Sequence, residues 1–207
     1  MGRARARFDE HHDVVAACES HPFVQGIASG ELPRERFLFY VEQDAWFLRA
    51  FARAYALAMA KAPDTATMLE LKTLLEGVFE ELELHRGYAE QWGADLEPEP
   101  AAATLAYTDF LLRVAWSEPV AAILAAMTPC MRLYAHLGQH LEPSASPDSP
   151  YIEWVTTYAD EEFEALARRM EALLDVHDDG SEAIAEHYRT AMLREEQFFD
   201  QAAGEVR

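Results

Sequence analysis

Along most of the chain, apolar residues recur at steps of three and four, the signature of helices that bury one face. No stretch alternates long enough to make a strand. The pattern predicts helices over about 8–19, from Pro33 to about Lys61, and from about Asp64 to Trp92. Further helices are predicted over about 102–116, from Pro119 to Leu141, over about 151–176 and over about 182–203. Pro33 and Pro119 suit a first helical turn, with Ser117 as the cap before Pro119. Pro63 separates the two long helices and Gly93 ends the second. Ser181 reads as the cap of the last helix, without a capping box because Ile184 stands three residues on. Residues 21–32, 96–101, 142–150 and 177–180 read as connections. The fold class implied is all-α, one helical bundle in a single domain over residues 1–207.

Three helical stripes carry a polar group where a core residue belongs. Phe37, Val41, Leu48, Phe51, Tyr55 and Ala58 form one stripe, and Asp44 takes its missing step. Ile184, Tyr188, Ala191, Phe198 and Ala202 form another, with Glu195 in the gap. Ile123, Met127, Tyr134, Leu137 and Leu141 form the third, with Cys130 among them beside Pro129. That proline lacks an N–H, so it should kink the helix and free the carbonyl of Ala125. A lone buried cysteine is ordinarily a small hydrophobe, and a lone buried carboxylate ordinarily a structural ion pair. Two carboxylates and a thiol on inward stripes point instead to a site. Trp46, Phe47, Tyr107, Tyr134 and Tyr158 fit either a core or such a pocket, which would supply partners for the tyrosine hydroxyls.

Composition narrows the function classes. Net charge is −20, and of the 17 basic residues only Lys61 and Lys72 are lysines. A surface this acidic repels phosphate backbones, which argues against nucleic-acid binding. No uninterrupted apolar run approaches the roughly 18 residues of a membrane span, and the basic N-terminus lacks the apolar segment of a signal peptide. The reading is a cytoplasmic protein with no membrane partner. Cys18 and Cys130 offer neither a disulfide framework nor zinc spacing and read as reduced thiols. No Glu-x-x-His occurs, so a ferritin-like di-metal site is not indicated. Glu81 and His85, one turn apart, could share a metal, but a single such pair is a weak signal and reads as a surface ion pair, and His11-His12 as a solvated helix face. No metal and no cofactor is implied.

Several runs, in order and over nearly the whole chain, resemble the TenA family of thiaminase II and aminopyrimidine aminohydrolases. They are His21-Pro22-Phe23-Val24-Gln25-Gly26, Gln43-Asp44, Phe51-Ala52-Arg53-Ala54, Pro129-Cys130 through Tyr134, and Tyr151-x-Glu153-Trp154 through Tyr158 to Glu162-Phe163. The resemblance implies a haem-oxygenase-like bundle that forms a homotetramer and needs no cofactor. The implied reaction is hydrolysis of the C–N bond at the methylene of a 4-amino-2-methylpyrimidine, releasing hydroxymethylpyrimidine for thiamin salvage. By that match Cys130 is the nucleophile, Asp44 binds the exocyclic amine and tunes the thiol, and Glu195 handles the proton at a ring nitrogen. Glu195 rather than Glu196 stands three residues before a pair of aromatics, Phe198-Phe199. Phe47, Tyr107, Tyr134 and Tyr158 correspond to pocket aromatics, Phe47 standing where the family often has tyrosine. Thiamin and a degraded aminopyrimidine both remain open as substrate. A cofactorless oxidase of the same fold and a non-catalytic pyrimidine-binding or regulatory protein are the alternatives.

Overall fold

The computed structural model describes residues 2–204, and among them it contains ten helices and no strand. They are α1 (Arg3–Glu10), α2 (His12–Glu19), α3 (Pro22–Ser29), α4 (Arg34–Lys61), α5 (Thr65–Trp92), α6 (Ala102–Ser117), α7 (Val120–Leu141), α8 (Ile152–Ala159), α9 (Glu161–His177) and α10 (Glu182–Ala203). The all-α reading holds, and the long helices lie where their stripes place them.

The short elements depart from the sequence reading. The first predicted helix begins earlier and is broken at His11, where φ −106° and ψ 29° leave helical geometry. The segment after it, read as a connection, forms α3. Pro22 opens that helix and the His21 ring accepts the Phe23 N–H at 3.1 Å, while Phe23, Val24, Ile27 and Ala28 are buried. Eight residues are too few for a stable isolated helix, so burial supplies what propensity does not. The predicted 151–176 helix is two, because Asp160 turns extended and its side chain caps α9 through the Glu162 N–H at 2.7 Å. Ser117 is the last residue of α6 and bonds back to the Arg113 carbonyl instead of capping α7. Ser181 stands at the N-cap of α10 without a side-chain cap bond.

Helix α7 is the axis of the bundle, packed by α8, α9 and α10, with α4 and α6 alongside. By length and hydropathy it matches a membrane span, a resemblance the broken-up apolar runs did not suggest, but most of it is buried within the bundle. Its interior Pro129 costs roughly 3 kcal/mol. Burying side chains such as Ile123, Leu124, Met127 and Leu133 returns roughly 1.5–3 kcal/mol each, so packing outweighs the proline. Gly138 permits the closest approach in this layer. A Cβ there would overlap the backbone of Tyr158 and Ala159, so the end of α8 lies directly against α7. At the N-terminus, Arg7 Nε meets Asp178 Oδ2 at 2.6 Å and ties α1 to the end of α9.

Candidate active site

Cys130 faces α10 and α6. It packs against the core yet stays partly accessible. Its thiol hydrogen-bonds Glu195, and Tyr107 Oη donates to Glu195 Oε1 at 2.5 Å. Glu195 is only 2% exposed, and burial, reinforced by the charge of Asp44, lifts its pKa to about 8 against the bonds from Tyr107 and Cys130. Burial and the neighbouring Glu195 likewise hold the Cys130 thiol well above the ordinary thiol range. The thiol is thus no preformed thiolate. It can lose its proton only to a base that touches it, and Glu195 does.

Asp44, on α4, is buried as its stripe predicts, but its close contact is a histidine. His85 Nε2 stands 2.9 Å from Asp44 Oδ2. The two buried atoms form a close ion-pair contact. His85 Nδ1 lies 2.9 Å from the Glu81 carbonyl and must donate to it, since a carbonyl cannot. Nε2 then faces a carboxylate, which favours the imidazolium. Burial opposes that charge, but Asp44 and Glu81 outweigh it and raise the His85 pKa. Asp44 acts on Cys130 through its charge, whereas Glu195 bonds the thiol.

Glu81 is not at the surface. Tyr158 Oη donates to Glu81 Oε1 at 2.5 Å, and burial together with the Asp44 charge lifts the Glu81 pKa to about 7. The surface ion pair read from the sequence is therefore replaced by two inward contacts, Glu81 with Tyr158 and His85 with Asp44. His11 is also half-buried, its ring 5.7 Å from that of Tyr188. Tyr134 receives the hydroxyl of Tyr40 at 3.2 Å, and Tyr40 in turn accepts Trp154 Nε1–H at 3.1 Å. Phe47 packs its ring 4.8 Å from Tyr107 and 6.0 Å from Phe198. Trp46 instead lies under the Arg49 guanidinium, 5.7 Å away, on the outer side of α4. Gln43 pins the connection before α6, accepting the Ala101 N–H at 2.7 Å.

The structure thus brings Cys130, Glu195, Asp44, Phe47, Tyr107, Tyr134 and Tyr158 into one buried region and adds Glu81, His85 and Tyr40. A cavity of about 580 Å³ adjoins it between α5, α8 and α9, lined by Glu81, Met131, Glu153, Thr157 and Phe163 among others. Glu81 lines that cavity and accepts the Tyr158 hydroxyl, so the cavity and the buried region meet at this carboxyl. Among the described residues no cluster of three or more metal-ligating side chains occurs.

Residues 8–203 match the TENA/THI-4/PQQC family. The chain belongs to that family. It is 35% identical over 217 residues to an aminopyrimidine aminohydrolase of Halalkalibacterium halodurans, covering 99% of this chain and 97% of that protein. It is 36% identical over 205 residues to the thiamine biosynthesis multifunctional protein ThiED of Corynebacterium efficiens, covering 96% of this chain but only 28% of that longer protein. The solved structure of a TenA family transcription regulator from a Silicibacter species superposes with a TM-score of 0.89 at 31% identity, over 98% of this chain and 97% of that one. The bundle is the haem-oxygenase-like helical fold of these TenA proteins.

Proposed function

We propose that this chain is an aminopyrimidine aminohydrolase of the thiaminase II type. It hydrolyses the C–N bond at the methylene of a 4-amino-2-methylpyrimidine. The observation that carries the reading is the Cys130 thiol bonded to Glu195, itself held by Tyr107, with the buried carboxylate of Asp44 in the same region. The relative of similar length, itself named aminopyrimidine aminohydrolase, supports it.

In this reading Asp44 accepts the exocyclic amine, and the aromatic walls of Phe47 and Tyr134 sandwich the ring. Glu195 takes the thiol proton as Cys130 sulfur bonds to the ring carbon beside the one bearing the methylene. It then delivers that proton to the ring nitrogen where the electron pair accumulates. The pair returns through the ring and expels the amine or thiazole nitrogen with the C–N bonding electrons. Water adds its hydroxyl to the exposed methylene, and its proton goes to a departing amine or, when neutral thiazole has left, to solvent. The sulfur then departs as the ring regains aromaticity, while Glu195 takes the proton back from the ring nitrogen and returns it to the thiolate. The adjoining cavity gives the leaving half of the substrate room to extend. A homotetramer remains part of the proposal and is checked by light scattering.

The test offers thiamin and 4-amino-5-aminomethyl-2-methylpyrimidine separately to purified protein and follows hydroxymethylpyrimidine by chromatography. Release from either substrate by wild type and not by Cys130→Ala is the expected result. Failure to process both overturns the assignment.

A further inference from the structure

Tyr158 has one hydroxyl proton and two directions in which to use it. Its oxygen lies 2.5 Å from Glu81 Oε1, and Glu81 borders both the outer cavity and a narrow inner gap lined by Tyr40, His85 and Trp154. When Glu81 is ionised it can only accept, so the Tyr158 proton is committed to it. The tyrosine then turns lone pairs toward the site. When Glu81 carries a proton it can donate to Tyr158, and the tyrosine proton is free to point at a ligand.

We propose that Glu81 is a positioning residue that acts through Tyr158, its protonation deciding whether the tyrosine offers a bound aminopyrimidine a lone pair or a proton. The inference rests on the function proposed above. An aminopyrimidine whose amine is held by Asp44 presents an adjacent ring nitrogen, an acceptor that needs a donor. It therefore selects the form with Glu81 protonated, and binding takes up a proton when the solution has removed it.

The surroundings of Glu81 place that protonation within the neutral range. Asp44, Tyr40 and Tyr55 face it from α4, Tyr158 from α8, and Cys130 from α7. His85 and Tyr88 share its own helix, and His85 is the cation that faces it. Glu80, Glu153, Asp160 and Glu162 line the adjoining cavity. Burial and the charge of Asp44 raise the carboxyl to about 7, against the Tyr158 hydrogen bond and the His85 charge, which lower it.

The experiment measures the dissociation constant of 4-amino-5-hydroxymethyl-2-methylpyrimidine by calorimetry between about pH 5.5 and 9, a span set by the ordinary carboxyl and the raised one. In wild type the affinity should weaken up to about tenfold per unit as pH rises past about 7, the limit for uptake of one proton. Glu81→Gln, whose amide donates as a protonated carboxyl does, should lose that break and keep any break belonging to Glu195 near 8. Tyr158→Phe, with Glu81 intact, should lose the same break. A flat wild-type profile through 7, or a break retained in either variant, overturns the inference while leaving the hydrolase reading intact. Absence of any binding by wild type removes the hydrolase reading and this inference together.

Discussion

Tyr107 on α6 donates its hydroxyl to Glu195 on α10 at 2.5 Å, and the same carboxyl meets the thiol of Cys130. Glu196, one residue on, is rotated by about 100° around the helix and is half-buried, whereas Glu195 is buried. Replacing each glutamate by glutamine keeps shape and removes the proton-transfer capacity. Glu195→Gln should lower kcat by about two to four orders of magnitude with substrate binding largely kept, while Glu196→Gln stays within a few-fold. Steady-state kinetics of both variants decide it, and the opposite order of damage would refute the assignment.

Cys130→Ala removes one sulfur from a position that is already partly accessible, so the loss of packing is small, about 1 kcal/mol. Turnover should vanish while the far-ultraviolet circular dichroism and the melting temperature stay close to wild type. A variant that melts early would make the thiol a core group, and an active one would exclude it as nucleophile.

Asp44→Asn keeps volume but removes the charge that stands 2.9 Å from His85. Turnover should fall by about a hundredfold. The imidazole of His85, deprived of the partner that raises its pKa, should titrate at lower pH in proton NMR. An unmoved His85 titration would show that the ion pair is not what charges the ring.

Stability should depend on pH through Glu195 with a definite sign. Its folded-state pKa of about 8 lies above that of an exposed carboxyl, so the folded chain holds a proton that the unfolded chain releases near pH 4.3. The cost to the fold is absent below about pH 4.3, grows as pH rises and levels off above about 8, with an upper bound of roughly 5 kcal/mol. Glu195→Gln should accordingly raise the melting temperature more at about pH 8.5 than at about pH 5, two points chosen on either side of that window. An equal change at both would mean that the carboxyl is not strained by burial.

Gly138→Ala places a methyl group where the backbone of Tyr158 and Ala159 now lies. Overpacking of this kind costs about 1–3 kcal/mol or forces the backbone apart. Because Tyr158 moves with α8, catalytic efficiency should fall well beyond what the loss of stability explains. Thermal melts combined with kinetics below the transition separate the two effects, and a fully active variant would show that the contact does not position Tyr158.

The long helices and their inward faces were legible along the chain, because a 3.6-residue period is a local property that burial of one face imposes on each segment. Asp44, Cys130 and Glu195 were legible for the same reason, each interrupting an apolar stripe. Glu81 obeys that rule as well, standing among Leu71, Leu74, Val78, His85 and Tyr88, but its spacing to His85 imitates an ordinary surface pair. The resemblance to TenA proteins supplied the substrate class and the roles, which no stripe contains. Which groups meet emerged in the packed bundle alone: Asp44 with His85, Glu81 with Tyr158, Tyr107 with Glu195. Those pairings join residues tens of positions apart, and they depend on how helices are rotated and shifted against each other. Close contacts such as Gly138 against Tyr158 set those shifts, as does the break at Asp160, and a one-dimensional period carries no record of either.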